Sequence, residues 1–490
     1  MREQAFCIHG HFYQPPREDP LTGEIPSEPG ASPYRNWNER ILAQCYLPNS
    51  KMGTFEHISF NIGPTLVEWL VKHDPGTLAR IVEQSHRNHK RFGVSNALAQ
   101  PYNHTILPLA TREDKITQVL WGIADFEYYF GHKPQGLWLP ETAVDDETLE
   151  VLAECGIEFT ILAPWQAEVE EDFDIKHPYK ISLRTGKQIA VFFYNKRISG
   201  AISFDPEMTA NADRFYTNEL LKEFADSSKQ KKDNQGVDDS EIVLIATDGE
   251  LYGHHQPFRD HFLSRLLGDA QKGYSIKDTI LSLWLKRHPP EKHIKIKPQT
   301  SWSCHHGVKR WSGKCDCTPH SKWKSPLRKA LNRLAEEIDA QYLSVVQPLM
   351  DNPWKLRNEY IHAIHGKVEA KDLVLSLVKQ RPDEETVQRI VILLAAQYER
   401  QRMFTSCGWY FDDFNRIEPR NNIAYAAEAA RLTRLATGVD LSSQTRSRLK
   451  KVVSWRSGLK ASSVYKHHLQ RARASHSATA FSSSSASSSL

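Results

Sequence analysis

Long apolar runs are missing from this 490-residue chain: no stretch approaches the roughly 18 uninterrupted apolar residues of a membrane helix, which argues against a helical membrane partner. The opening Met-Arg-Glu-Gln-Ala-Phe-Cys-Ile-His lacks the apolar centre of a signal peptide, so a cytoplasmic location is expected. Cysteine is sparse and odd in number; seven thiols spread over so long a chain fit reduced side chains better than a disulfide framework. A basic body is also missing. The overall net charge of +4 is carried by residues 441–490, with nine Lys and Arg and no Asp or Glu, and the first 440 residues are left at −5. That balance points to no specific nucleic-acid partner. The Ser-rich end from Ser475 to Leu490 has too little apolar content for a core, and disorder is predicted there.

What is present suffices for roughly two to four domains, with 40% hydrophobic residues. The chain is organised around Gly136-Leu-Trp-Leu-Pro-Glu-Thr-Ala-Val-Asp145, where an apolar run ends at Pro140 and the acid Glu141. A carboxylate buried at such a point without partners would cost several kcal/mol, so folding alone explains it poorly. The pattern recurs about a hundred residues later, where Glu241-Ile-Val-Leu-Ile-Ala-Thr247 runs into Asp248-Gly249-Glu250. Two acids placed this way suit general acid/base or nucleophilic chemistry.

Strands are predicted at 5–9, 56–61, 157–163, 189–194 and 241–247, one around Trp138 ending at Glu141, and one opening the strand-then-loop segment 94–104, with a strand-like run near 294–300. Helices are predicted between them: Pro64 suits the first turn of one reaching His73, another covers 76–91, Thr111 opens a third, and Asp145 caps a fourth ending before Gly156. A helix is predicted near 212–225 and leads into a charged surface loop at 226–240. Strands alternating with helices predict a parallel α/β fold, barrel or open sheet, whose active site lies at the carboxyl ends of the strands. His9, Glu141 and Asp248 all fall there. From residue 320 onward the spacing is helical, over 325–350, 353–379, 383–405 and 420–437, which predicts a second, helical domain.

Histidines follow the apolar runs at His9, His11, His104, His254 and His255, suggesting one shared mouth, although a lone histidine is more often a packed core or surface group. Trp138 and Trp302 offer flat faces to sugar rings or ordinary core packing. Cys304, His305, His306, Cys315, Cys317 and His320 form a metal-like cluster whose spacing is not that of a standard zinc finger. No metal ligand and no cofactor is assigned.

The segment His11-Phe-Tyr-Gln-Pro15 resembles the opening motif of glycoside hydrolase family 57, and Asn103-His104 with Leu107-Pro-Leu109 is similar to its second. Trp138-Leu-Pro-Glu141 resembles its nucleophile motif and Thr247-Asp-Gly-Glu250 its acid/base motif; Ser301-Trp302 and Ser406-Cys-Gly-Trp409 stand for later segments. The resemblance implies an incomplete (β/α)7 barrel over 1–300, an all-helical domain over 301–438 and a basic tail over 439–490. It implies a retaining enzyme on α-glucans or oligosaccharides, with Glu141 as nucleophile and Asp248 as general acid/base. His11, Gln14, His104, Trp138, His254, Trp302 and Trp409 would bind substrate. Tyr13 stands where the family usually has a second histidine, and look-alikes carry an extra C-terminal domain that the tail replaces here. The alternatives are a metal-dependent hydrolase resembling polysaccharide deacetylases or α-mannosidases, with His9 and His11 as ligands, and a noncatalytic glucan-binding protein.

Overall fold

The structure, a computed structural model, describes residues 2–169, 173–225 and 239–486. The surface loop predicted at 226–240 lies, as far as 238, outside the described residues. So do the side chains from 475 onward, on which the predicted disorder falls. The chain forms two compact units: one comprises 1–14, 27–108 and 119–305, the other 15–26, 109–118 and 306–490.

Eight strands order the first unit: β1 (Gln4–Phe12), β2 (Ser59–Ile62), β3 (Ala97–Leu98), β4 (Phe159–Leu162), β5 (Tyr179–Ser182), β6 (Gln188–Phe193), β7 (Glu241–Asp248) and β8 (Lys277–Asp278). β1 is central, with β2 parallel on one side and β7 on the other, and β3 follows β2. Parallel bridges from Ala99 to Leu137 and from Gly136 to Phe159 insert the stretch around 136–138 between β3 and β4, and β4 pairs parallel with β6. The order β7, β1, β2, β3, 136–138, β4, β6 gives the seven parallel strand positions of an incomplete (β/α)7 barrel. β5 is an antiparallel addition on β6, and the run predicted near 294–300 makes isolated bridges instead of a strand.

Alternation along the strands explains where the site lies. Ala5 and Cys7 of β1, Phe159 and Ile161 of β4, Ala190 and Phe192 of β6, and Ile242, Leu244 and Ala246 of β7 share one buried cluster. Side chains two apart fall on one face of a strand, so the same columns continue into His9 and His11 on β1 and into Asp248 on β7. The register pairs His11 with Asn61 on one side and with Asp248 on the other. Three polar residues thus stand abreast at the carboxyl ends of neighbouring strands.

The helix signals act as read. Pro64–His73 begins on its proline, Asp74 caps Pro75–Phe92 by accepting from the Thr77 N–H at 3.1 Å, and Asp145 caps Asp146–Glu154 through the Thr148 N–H at 2.8 Å. The Thr111 hydroxyl likewise accepts from the Asp114 N–H.

The second unit is helical. Lys324–Val346, Glu384–Arg402 and Ile417–Thr437 are three of its long helices, and Tyr342, Leu356, Ile390, Leu393 and Leu394 are among its buried core. The helix predicted over 353–379 is three shorter ones, interrupted where Gly366 takes a left-handed φ of 68°. Asp114 in this unit accepts from Arg400 at 2.6 Å and lies 3.1 Å from Arg357, both guanidiniums being buried. Burial opposes its ionisation, yet Arg400 and then Arg357 hold its carboxyl below the usual range.

The separate tail predicted after 438 is overturned as far as residue 474. Ser442–Leu449 and Ala461–Ala486 are helices, and Leu449, Val452, Ala461 and Tyr465 are buried. The segment has few apolar residues, but those few share buried faces. Its basic side chains meet acids elsewhere in the same unit: Arg448 donates to Glu337 at 2.8 Å, and His468 lies 3.1 Å from Glu428.

Candidate active site

The decisive local feature is a strained turn. Glu141 lies within the short 3-10 turn Pro140–Thr142 with φ 59° and ψ 19°, and Thr142 follows with φ 48°. Two consecutive non-glycine residues in the left-handed region, one of them β-branched, persist only where their surroundings over-determine them. Here Gln166, fully buried, supplies the clamp. It accepts from the Thr142 hydroxyl at 2.8 Å and from the Ala163 N–H at 2.9 Å, and it donates to the Thr142 carbonyl at 2.8 Å and to the Thr300 hydroxyl at 3.1 Å. The Trp302 N–H closes the turn on the Glu141 carbonyl at 3.0 Å.

The Glu141 carboxylate is aimed by two donors, the Trp302 indole N–H at 3.0 Å and the Ser303 hydroxyl at 2.6 Å, both to the same Oε2. Trp302 meets Trp138 edge-on at 5.0 Å. Trp138 itself is fully buried beneath the histidines, its ring 4.9 Å from His9 and 5.1 Å from His11 in stacked arrangement. It therefore backs the site, where an open sugar platform was expected.

His9, His11 and His104 do share one locality. His9 Nε2 and His11 Nδ1 both approach the Asn61 carboxamide, at 3.2 and 3.1 Å, and His11 Nε2 lies 3.2 Å from His104 Nε2. Tyr13, at the position of the expected second histidine, stacks on His104 at 3.7 Å. His104 also has a left-handed φ of 52°. Burial pushes His9 down to about 3, with the neighbouring His11 as a lesser cause; it pushes His11 down to about 4 against the Asn61 hydrogen bond, and His104 well below the usual imidazole range. The rings are neutral.

On the other side stands a second acid that sequence reasoning left out. Glu250 is buried and accepts from the Tyr46 hydroxyl at 2.7 Å, the Tyr13 N–H at 3.1 Å and Gln14 Nε2 at 3.5 Å. Burial outweighs those donors and pushes its carboxyl up to about 7. Gln14 thus serves Glu250, where sugar binding was expected. Between the two acids Gly249 is obligatory, since a Cβ there would lie 2.4 Å from the Phe12 ring.

Asp248 keeps an exposed surface at the end of β7 although protein crowds its carboxylate. The exposure sets its access to solvent and the crowding sets the direction of its ionisation. Burial, then the charge of Glu250, then that of Glu141, push the Asp248 carboxyl up to about 7. An acid that holds its proton near neutrality therefore shares a locality with the carboxylate of Glu141, the division of roles that acid/base chemistry needs.

Two predicted members lie apart. His254 is held by Gln44 at 2.7 Å and by the edge of Trp37, outside the histidine stack. Trp409 is fully buried inside the helical unit with the Arg328 guanidinium 3.8 Å over its ring, so it offers no face to a ligand. Of the residues that were missed, Asn61, Gln166, Tyr46 and Ser303 have side chains without a carboxylate and lie outside the quoted motifs, whereas Glu250 was passed over beside Asp248. The Thr-Asp-Gly-Glu string did contain Glu250.

Residues 18–297 match the model of glycosyl hydrolase family 57, more than half of the chain. The chain belongs to glycosyl hydrolase family 57. Residues 320–488 of this family 57 protein match the model of a domain of unknown function, DUF3536. Alpha-amylase 1 of Dictyoglomus thermophilum is 27% identical over 222 residues, 44% of this chain and 29% of that protein. An alpha-amylase of Pyrococcus abyssi is 24% identical over 51% of this chain and 32% of its own length. The chain thus spans about a third of the curated relatives it matches. Among solved structures, an exo-type maltose-forming amylase from Pyrococcus sp. ST04 superposes with a TM-score of 0.69 at 14% identity, covering 95% of this chain and 88% of that one. A branching enzyme from Pyrococcus horikoshii gives 0.60 at 16%, covering 94% and 96%. At these identities the likeness is one of fold.

Proposed function

We propose that this family 57 protein is a retaining glycoside hydrolase or transglycosylase acting on α-glucans, with Glu141 as nucleophile and Asp248 as general acid/base. The observation that carries the reading is the pairing of a rigidly aimed carboxylate with an acid raised to about 7. Glu141, with Oε2 bound by Trp302 and Ser303, attacks the anomeric carbon through its other oxygen. Asp248 gives its proton to the departing glycosidic oxygen. Water or a second sugar hydroxyl then resolves the glycosyl ester while Asp248, now ionised, takes up its proton. Neutral His11 and His104 hydrogen-bond sugar hydroxyls without adding positive charge beside the acid. The amylases and the branching enzyme among the similar proteins support an α-glucan as the substrate class.

The metal-dependent alternative gains nothing at β1, where both ring nitrogens of His9 and of His11 already have hydrogen-bond partners. The test is incubation of Glu141→Gln and Asp248→Ala proteins with maltooligosaccharides and with activated aryl α-glucosides. Glu141→Gln should abolish turnover of both in a folded protein. Asp248→Ala should cripple only the oligosaccharides, because a good leaving group needs no proton, and azide should give a glycosyl azide of retained configuration. A rescued product of inverted configuration sinks the assignment.

A further inference from the structure

One side-chain cluster stands outside the chemistry above. The Sγ atoms of Cys304, Cys315 and Cys317 and a ring nitrogen of His306 all lie within 4.8 Å of one another, and they come from a single segment, 304–317. Among the described residues no other group of three or more His, Cys, Asp or Glu converges in this way. His306 Nδ1 is 3.4 Å from Cys315 Sγ and 3.3 Å from Cys317 Sγ. A tetrahedral zinc with Zn–S near 2.3 Å and Zn–N near 2.0–2.1 Å requires sulfur and nitrogen about 3.5 Å apart, so the imidazole already stands close to where an ion would hold it.

We propose that Cys304, His306, Cys315 and Cys317 bind one structural zinc ion, or a soft divalent cation of the same kind. A disulfide would take two of the sulfurs and leave a third sulfur and an imidazole nitrogen at the same point, whereas a tetrahedral ion takes all four. Three thiolates, one neutral imidazole and a dication sum to a single negative charge. The segment supplies cations to offset it, with Lys309, Arg310 and Lys314 between the ligands and the Arg310 guanidinium donating to the Cys317 carbonyl at 3.3 Å. The segment also needs a tie of this kind. Its helix is the single turn Lys309–Ser312, and its local ties include a turn from the Thr318 N–H to the Cys315 carbonyl and the Ser321 hydroxyl bridging Cys315 N and O. His320, first grouped with the cluster, stacks instead on Trp455 at 4.0 Å. Cys304 directly follows Trp302 and Ser303, so the ion would fix the chain end from which both of these reach Glu141. The metal assignment is independent of the role given to Glu141.

The experiment is metal analysis of the full chain purified under reducing conditions without a polyhistidine tag. About one zinc per chain is expected, released in step with mercurial modification of three thiols. Replacement by cobalt should produce the thiolate charge-transfer and visible bands of a tetrahedral sulfur-rich site, and Cys315→Ser should lose both the metal and those bands. Should Cys315→Ser fail to fold, the wild-type cobalt spectrum decides. Wild-type protein that holds no stoichiometric zinc after incubation with excess zinc, or a cobalt spectrum without thiolate bands, overturns the proposal.

Discussion

Replacement of Gln166 by alanine should separate the positioning of Glu141 from its chemistry. Glu141 and Thr142 occupy the left-handed region at about 1–3 kcal/mol each, so the turn stores about 2–6 kcal/mol. Gln166 opposes this with four hydrogen bonds, at about 1 kcal/mol net each roughly 4 kcal/mol together. The two quantities are comparable, so the turn should relax once the clamp is gone. The alanine variant also leaves the Ala163 N–H and the Thr142 carbonyl without this partner, and a loss of about 3 kcal/mol in stability is expected. A shift of about 1 Å at the carboxylate should lower kcat about 100-fold. Gln166→Glu keeps the acceptor for Thr142 and Ala163 but lacks the donor, and should fall between wild type and alanine. The measurements are reducing-end release from maltooligosaccharides and a thermal melt on the same samples. A Gln166→Ala protein that melts lower yet turns over at the wild-type rate would refute the positioning argument.

Two further outcomes follow from the electrostatics and the packing. In the proposed mechanism the first step uses protonated Asp248, so kcat/KM should fall as pH rises through about 7; Glu250→Gln removes the largest charge acting on Asp248 and should move that limb to lower pH, while an unmoved limb would assign it to another group. Truncation after Thr437 removes buried Leu449, Val452 and Tyr465, at about 2 kcal/mol each roughly 6 kcal/mol, and should lower Tm by more than about 10 °C; an unchanged melt would mean that these helices contribute nothing to the fold.

The strands around the site were legible because their periods and their polar ends are written in adjacent residues. Ala5, Cys7, His9 and His11 alternate on one strand, and Ile242 to Asp248 do the same on another, so position in sequence reveals position in the barrel. Glu141 was legible for a related reason, as a carboxylate ending an apolar run. The Gln166 clamp was not, because a neutral amide after Pro164 and Trp165 carries no periodic signal and the partners it ties together, Thr142 and Thr300, lie 24 and 134 residues away. Trp138, Gln14 and Trp409 misled in a common way: an aromatic or amide beside a motif reads the same whether it meets a ligand or supports the group that does. The tail misled because composition counts apolar residues without showing which face they share. Leu449, Val452, Ala461 and Tyr465 are few, yet all are buried.

The neutral histidines and the raised acid belong to one electrostatic arrangement. His11 stands directly beside Asp248 in the strand register, and an imidazolium there would favour the aspartate anion and strip the acid of its proton. Burial prevents this. With His9 at about 3 and His11 at about 4, both rings are uncharged wherever Asp248 titrates, so the charges left to act on it are the negative ones of Glu250 and Glu141. Trp138 contributes by covering both imidazoles, which makes its own burial part of the site's electrostatics. Asn61, meeting both rings with one carboxamide, fixes their orientation without adding charge. The neutrality of the rings stacked under the carboxyl ends of the strands therefore leaves nothing on β1 to oppose the rise of the Asp248 carboxyl to about 7.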